Sequence, residues 1–304
     1  MFDILSGPIQ EPFEEENIRA LPTLSPRRCK LLTQWPKVLY APDSPEKDWR
    51  LILPFAATLE NAFDTMTSIL AHPHLSSGGR LVLFLKGAAE PEVREEAELW
   101  IATVGKYVAI QDCLALSFAL DYEREDGAPD KDQTEIGALR SRAKPYGAVP
   151  TADTYWAADR LAEYCVGFLE EMSCYHSADG VVAMPPSSPD KPFDLPSYLA
   201  KKIGSAWGLE NLSRYVRTDR SRGSLRNTAV DDKLTTIQGT IEVDADRVKS
   251  KVVLLVDDLY QSGISMNYCG MLLLRAGAKK VFGLACEKTC RNDDNISGGV
   301  CLER

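Results

Sequence analysis

At residues 252–265 the sequence reads Val252-Val253-Leu254-Leu255-Val256-Asp257-Asp258-Leu259-Tyr260-Gln261-Ser262-Gly263-Ile264-Ser265, and this stretch decides the fold of the second half. Its five leading apolar residues predict a strand buried on both faces, and the two acids mark the end of that strand. Gly263 permits a tight turn, after which the pattern predicts a helix over 264–275 and a strand over 281–286. A strand, a helix and a second strand in this order predict parallel pairing through a helical crossover.

The residues before this stretch continue the alternation of helices and strands. They predict a helix over 153–172, a strand over 181–184, a helix over 197–207, a strand near 212–216 and a polar loop over 217–236. The second half is therefore predicted to be an α/β domain built on a parallel sheet.

The first half alternates short apolar runs with helical patterns. Leu51–Leu53 and Leu81–Leu85 read as strands, and a helical pattern covers 61–71. Another helix is predicted from Glu90 towards Val104, because acids at its start suit the helix dipole. This half is predicted to be α/β or α+β, without a nucleotide-binding glycine pattern.

A highly charged stretch, Glu123–Asp132, separates the two halves. Gly127 and Pro129 interrupt its local pattern, as expected of a connection between domains. We predict a separate N-terminal region over 1–132 and a second domain over 133–304. The residues do not assign a role to the first region, which could be a hood over a site or a surface for a partner.

Composition and charge exclude several classes of protein. The 304 residues are 44% hydrophobic and 26% charged, which is typical of a soluble globular protein. The apolar runs are too short to span a bilayer, and the first residues lack a signal-peptide pattern, so we expect a cytoplasmic protein without a membrane partner. A net charge of −9 argues against a surface devoted to nucleic acid, although a local basic patch exists.

The cysteines and histidines give no metal-binding pattern. Eight cysteines are present, and none form a Cys-x-x-Cys pair. His72 and His74 are the only closely spaced histidines, and neither they nor Cys286 and Cys290 have a companion pair that would complete a tetrahedral site. We expect free thiols, structural histidines and no structural metal.

The chemistry of the Asp257-Asp258 turn indicates a sugar phosphate. Two carboxylates at the end of a strand can accept hydrogen bonds from vicinal ribose hydroxyls or hold hydrated Mg²⁺. Free backbone N–H groups at the start of the next helix, with the hydroxyls of Ser262 and Ser265, would cradle a phosphate. The alternatives are a Walker-B-like strand, which fails because no Walker A loop is present, and a plain exposed strand end.

Two other features fall at the same edge of the predicted sheet. Pro185-Pro186-Ser187-Ser188 follows a strand and is either a rigid turn or a binding loop. The polar loop over 217–236 is rich in arginine and is either a solvated surface loop or a mobile basic loop that closes over a phosphorylated ligand. Within it, Arg222 and Arg226 are the candidate catalytic arginines.

The stretch Val253–Ser265 resembles the binding motif for phosphoribosyl pyrophosphate (PRPP) in type I phosphoribosyltransferases. In that family the two acids bind the ribose hydroxyls, and the following turn, here Tyr260, Gln261, Ser262, Gly263, Ile264 and Ser265, binds the 5′-phosphate. The resemblance extends to a pyrophosphate loop at Pro185–Ser188 and a flexible catalytic loop at 217–236. Over 134–289 the order of elements is most similar to the ComF-like branch.

This resemblance implies a pentosyl transferase that binds PRPP or a nucleoside monophosphate with Mg²⁺. The phosphoribosyl group would pass to or from a nitrogen nucleophile, with Asp257, Asp258, Arg222 and Arg226 as the catalytic residues. The metal would be held through the ligand near the two acids, without direct protein ligands. Alternatives are a non-catalytic module that senses PRPP or a nucleotide, and a ComF-like accessory protein for DNA transactions or defence.

The sequence also departs from the family pattern. Its turn reads Gln-Ser-Gly-Ile-Ser where Thr-Thr-Gly-x-Thr is usual, so one hydroxyl contact is missing while the backbone cradle is kept. Lys144 and Tyr146 stand where the family has a Lys-Tyr pair, and we assign them a packing role. A homodimer and a nucleic acid are left open as further partners.

Overall fold

A computed structural model gives the fold of most of the chain. The described residues are 10–21, 29–31, 38–41, 48–87, 90–145, 149–188, 191–221, 225 and 228–290, with the backbone alone described at 29–31 and 230–231.

Helices and strands alternate along the described ranges. The helices are α1 Glu15–Ala20, α2 Thr58–Met66, α3 Pro91–Val104, α4 Glu135–Arg142, α5 Ala152–Glu171, α6 Leu195–Trp207, α7 Val230–Ile237, α8 Ala245–Val248 and α9 Ile264–Arg275. The strands are β1 Cys29–Leu31, β2 Leu39–Tyr40, β3 Trp49–Leu53, β4 Ala71–Leu75, β5 Leu81–Leu85, β6 Val108–Ile110, β7 Leu116–Tyr122, β8 Gly180–Ala183, β9 Glu210–Asn211, β10 Val216–Thr218, β11 Ile241–Val243, β12 Val252–Tyr260 and β13 Lys280–Lys288.

The main sheet has the strand order β1-β6-β7-β13-β12-β8-β9. From β7 to β9 all neighbours pair in parallel, whereas β6 pairs antiparallel with both β1 and β7. The apolar residues of β12, Val252–Val256, are all buried, because hydrophobic clusters cover both faces of the strand. The predicted α/β class with a parallel sheet is confirmed.

A separate antiparallel sheet lies in the first half, with the order β2-β3-β5-β4. One of its two inner strands, β5, buries alternate residues, Leu81, Leu83 and Leu85, as expected of a strand with one face on a core. The first half therefore contains the predicted mixture of helices and strands. A further short ribbon pairs β10 with β11.

The main sheet crosses the predicted boundary between 132 and 133. β7 ends at Tyr122 and pairs in parallel with β13, with Phe118 opposite Leu284 and Asp121 opposite Glu287. The ring of Phe118 also lies 6.0 Å from that of Phe168 in α5. Within the described ranges, the two predicted domains thus share one sheet and one core. The charged stretch is a connection within that unit, because a polar loop between two elements does not show whether they pack together.

Local differences from the predicted elements have simple causes. The helix predicted over 61–71 is shorter, since α2 ends at Met66 and residues 71–75 form β4. The loop predicted over 217–236 contains the end of β10 and most of α7. Leu234 and Ile237 in α7 are buried in the second hydrophobic cluster, so packing stabilises a helix that a polar composition did not indicate.

Candidate functional site

The predicted site lies at the carboxyl edge of the parallel strands. β12 continues past the predicted end at Val256, because Leu259 and Tyr260 still pair with Glu287 and Lys288 of β13. The acids therefore belong to the strand. The loop after β8 begins beside them, since the backbone N–H of Met184 donates to the carbonyl of Val256 at 2.8 Å.

Asp258 is held by two cations. Its Oδ2 lies 3.1 Å from Nε of Arg140 and 2.5 Å from Nζ of Lys144, and the residue is only 5% exposed. Burial alone would raise the pKa of Asp258, but the charges of Lys144 and Arg140 outweigh it and lower that pKa below its ordinary value. Asp258 is therefore an ionised carboxylate whose charge is already matched.

Arg140 extends this cluster to the neighbouring strand. Its Nη1 lies 3.3 Å from Oε1 of Glu287, which is 1% exposed. Neither carboxylate oxygen of Glu287 accepts a hydrogen bond from the described residues. Burial raises the pKa of Glu287 to about 7, although Arg140 opposes the shift.

Asp257 differs from its neighbour, because it has no cation in contact among the described residues. Its Oδ1 accepts the backbone N–H of Asp258 at 2.8 Å, and the side chain is half-buried. Burial, followed by the charge of Asp258, raises the pKa of Asp257 well above its ordinary value. Asp257 is thus the acid of the pair that is available to a ligand.

The turn after β12 depends on a glycine. Gly263 has φ 79° and precedes the first residue of α9. A Cβ at this position would lie 2.1 Å from the hydroxyl of Tyr260, so other residues meet both strain and a clash. The first N–H groups of a helix have no acceptor within it. Gly263 and Ser265, at the start of α9, line a cavity.

The six residues of this turn have different surroundings. Tyr260 is 1% exposed and donates its hydroxyl to Oδ2 of Asp112 at 3.0 Å, and Ile264 is 2% exposed and packs in the core. The side chain of Gln261 accepts a hydrogen bond from Nζ of Lys233 at 3.1 Å. Ser262 is buried at the cavity wall. The side chains of Tyr260 and Ile264 therefore support the turn from behind.

The predicted pyrophosphate loop is tied to the ribbon of β10 and β11. The hydroxyl of Thr218 donates to the carbonyl of Pro186, and the hydroxyls of Ser188 and Ser221 are 3.1 Å apart. Pro185, Pro186 and Ser187 line a cavity of about 180 Å³ that Asp257 also lines.

A second cavity of about 160 Å³ adjoins the first on the side of the turn, where Gln261, Ser262 and Gly263 line it. We call the two cavities together the cleft. Both cavities are lined by Lys144, Leu225, Asp257, Asp258 and Ser265.

The structure adds residues that the sequence did not indicate. The packing role predicted for Lys144 is wrong, because its ammonium group contacts Asp258 and lines both cavities. The sequence pattern does not indicate Arg140 or Lys233 as site residues. Lys233 is 3% exposed and lines the side of the cleft that the turn forms. Neither α4 nor the residues after it gave a signal in the sequence, because the partner of Arg140 and Lys144 is Asp258, which lies more than 100 residues further along the chain.

Some predictions fall outside the described residues, including Arg222, Arg226 and Tyr146. Among the described residues, no group of three or more His, Cys, Asp or Glu side chains could hold a metal ion. Along the same ranges, no helix combines the length and the apolar character needed to cross a membrane.

Comparison with known proteins gives a structural similarity but no sequence match. No protein-family model matches the chain, and no curated protein matches it. A solved structure described as the allosteric regulatory enzyme of purine biosynthesis is similar over 79% of this chain, with 13% sequence identity and a TM-score of 0.26. The chain covers 45% of the length of that structure.

Proposed function

We propose that the cleft binds PRPP, or a nucleoside monophosphate, and that the protein transfers the phosphoribosyl group to or from a nitrogen nucleophile. One observation carries the proposal. The acid Asp257 lies between the turn 261–265, which leads into α9, and a second loop, Pro185–Ser188, at one edge of a parallel sheet. Ligands of open α/β sheets bind at this edge.

The side of the cleft formed by the turn suits the 5′-phosphate. The start of α9 carries N–H groups and the positive end of the helix dipole, and Ser262 and Ser265 add hydroxyls. Lys233, at the same wall, contributes a cation. These groups would neutralise the phosphate without a metal.

Asp257 would accept hydrogen bonds from the ribose hydroxyls. Asp258 would have a different role from the one that the family resemblance implies, because Arg140 and Lys144 already engage its carboxylate. We assign Asp258 to positioning Lys144, whose ammonium group lines both cavities and can face the anionic groups of the ligand.

The residues present fit Mg²⁺ bound through the ligand. Mg²⁺ keeps several waters when it binds substrate phosphates, and Asp257 would lie near the ion and accept hydrogen bonds from those waters. When bound, Mg²⁺ would neutralise part of the charge on pyrophosphate. Pro186 and Ser187 would present their backbone to the same group, and Lys191 lies at the wall of that cavity.

In the reaction, the bond from ribose C1 to a pyrophosphate oxygen breaks, and a bond from C1 to nitrogen forms. The pyrophosphate leaves with the electron pair, and the nitrogen nucleophile loses a proton. The sugar carries positive charge at the transition state, so the protein contributes placement, charge stabilisation and exclusion of water.

Calorimetric titration of PRPP with Mg²⁺ into the full chain tests the proposal. We expect binding that weakens at least tenfold in Asp257→Asn, which removes the ionisable acid and keeps the shape. Asp153→Asn is a matched control, because Asp153 is an exposed carboxylate paired with Arg142 outside the cleft. Absence of binding by the folded protein, or equal losses in both variants, would overturn the proposal.

A sensing module is the second candidate, favoured by the ion pairs that hold Asp258. A site whose acid is already neutralised can bind a ligand without driving its chemistry. Release of pyrophosphate from PRPP in the presence of a panel of nitrogenous bases separates the two functions. Turnover supports the transferase, and tight binding without turnover supports sensing.

A further inference from the structure

A larger cavity, of about 470 Å³, lies apart from the cleft and shares no lining residue with it. It is an open cavity lined by α5, the end of β7, the start of α4 and the turn after α3. Small-molecule sites usually have volumes of about 300–1,000 Å³, so this cavity has room for a ligand of moderate size.

Aromatic rings form much of its wall. Tyr107 and Phe168 have ring centroids 4.7 Å apart in an edge-to-face arrangement, and Tyr164 lies on the same lining. Phe168 is fully buried, whereas Tyr107 and Tyr164 are half-buried. The rings of Tyr107 and Tyr164 thus offer surface that a flat apolar group can cover, and Phe168 supports the ring of Tyr107 from the core.

The charges on the lining are unequal. Four carboxylates, those of Asp121, Glu135, Glu163 and Glu171, stand against two cations, Lys106 and Arg160, which leaves a net charge of −2.

The two cations are engaged by two of the acids. Nζ of Lys106 lies 2.8 Å from Oε2 of Glu171, and Arg160 pairs with Glu163. In the described part of the chain, no cation forms an ion pair with Asp121 or Glu135. Asp121 is half-buried, and its side chain accepts the backbone N–H of Tyr122. The unmatched charge of the cavity therefore belongs to Asp121 and Glu135.

We propose that this cavity is a binding site for a small organic cation that carries a flat ring. Asp121 and Glu135 would face the positive group, and Tyr107 and Tyr164 would contact the ring. Attraction between a cation and aromatic faces adds to the attraction of the carboxylates. Amidines and amines on aromatic rings have the required chemistry, and neutral or anionic rings of the same shape do not.

Gly167 provides a way to close the cavity without disturbing the core. It lies in α5 on the lining, and a Cβ at this position meets no atom within 4 Å. A phenylalanine there would extend into the open space, whereas an alanine would leave most of that space free. Both substitutions keep a residue compatible with a helix.

Three probes of nearly equal shape test the recognition of charge: benzamidine, benzamide and benzoate. Titration into the isotopically labelled full chain, followed by amide chemical shifts, reports affinity and location together. We expect benzamidine to bind at least tenfold more tightly than benzamide, with shifts around Tyr164 and Gly167. We expect no binding of benzoate.

The variants locate the site. Gly167→Phe should abolish the binding of benzamidine, and Gly167→Ala should retain it. Asp121→Asn combined with Glu135→Gln should lower the affinity at least tenfold and make benzamidine and benzamide equal. These two substitutions keep the size and shape of the side chains and remove their charges. They provide the decisive comparison if Gly167→Phe fails to fold.

Several results would overturn the proposal. They are the absence of benzamidine binding, equal affinity for benzamide in the unsubstituted protein, and binding that survives both the Gly167→Phe and the double substitution. PRPP titration of the same samples is independent of these outcomes, because the cleft and this cavity have no residue in common.

Discussion

The hydroxyl of Tyr260 donates a hydrogen bond to the carboxylate of Asp112 at 3.0 Å, and this bond fixes the turn of the cleft to the first half of the chain. Asp112 also accepts from Nδ2 of Asn267 at 3.2 Å and from the backbone N–H of Leu114 at 2.9 Å. Asn267 in turn donates to the carbonyl of Gly263 at 2.8 Å. A residue outside the cleft thus sets the geometry of the proposed phosphate site.

The first prediction concerns this bond. Asp112→Asn places an amide donor opposite the donors of Tyr260 and Asn267, and it should lower the free energy of unfolding by about 1–3 kcal/mol. Tyr260→Phe should cost about 1 kcal/mol. Because both substitutions remove the same bond, the double variant should lose less than their sum, as measured by urea unfolding. Additive losses would show that the two residues are not coupled.

The second prediction concerns Gly263. Gly263→Ala should lower the free energy of unfolding by about 2–3 kcal/mol and abolish PRPP binding, because the added Cβ is strained and meets Tyr260. Gly208→Ala is the matched control, since Gly208 has φ 66° and open space around it. It should cost only about 1 kcal/mol and leave PRPP binding intact. Thermal unfolding gives the stability of each variant, and calorimetry gives its PRPP binding. Equal losses in Gly263→Ala and Gly208→Ala would contradict the role of the clash.

The third prediction concerns the division of the chain. A fragment of residues 133–304 should not fold alone, because it lacks β7 and leaves the edge of β13 unpaired. Circular dichroism of the fragment should show no cooperative unfolding. Mixing it with the fragment 1–132 should restore a cooperative transition. A fragment 133–304 that folds and binds PRPP by itself would contradict the shared sheet.

The sequence was sufficient to predict the central helices and strands of the second half. Val252–Val256 is apolar throughout because both faces are covered, and Gly263 is required by a positive φ. Such features are local, so they can be read without knowing the fold. The helices predicted over 153–172 and 264–275 agree closely with α5 and α9 for the same reason.

Long-range relationships could not be predicted in this way. The insertion of β7 beside β13 depends on pairing between residues more than 160 positions apart, and a polar loop after β7 suggested a boundary instead. Arg140, Lys144 and Glu287 meet around Asp258 only after the sheet has formed. Charged residues in a helix indicate a solvated face unless their partners are known.

The last prediction uses Glu287, whose pKa burial raises to about 7 from an ordinary value of 4.5. Between these values the folded chain keeps a proton that the unfolded chain has released, so the stabilising contribution of protonated Glu287 is complete below about pH 4.5 and is lost as the pH rises through 7. Glu287→Gln cannot ionise. Relative to the unsubstituted protein, it should therefore gain about 1–3 kcal/mol in free energy of unfolding between pH 5 and pH 8.

Urea unfolding of both proteins across this range gives the difference, and the comparison removes the titration of every other group. Asp258, whose pKa is lowered by Lys144 and Arg140, loses its own contribution only at more acidic pH, so it does not mask the effect. Carbon-detected NMR of the Glu287 carboxyl should show a midpoint near 7 in the folded protein. Parallel stability curves, with a carboxyl midpoint near the ordinary value, would mean that Arg140 fully compensates the buried charge of Glu287.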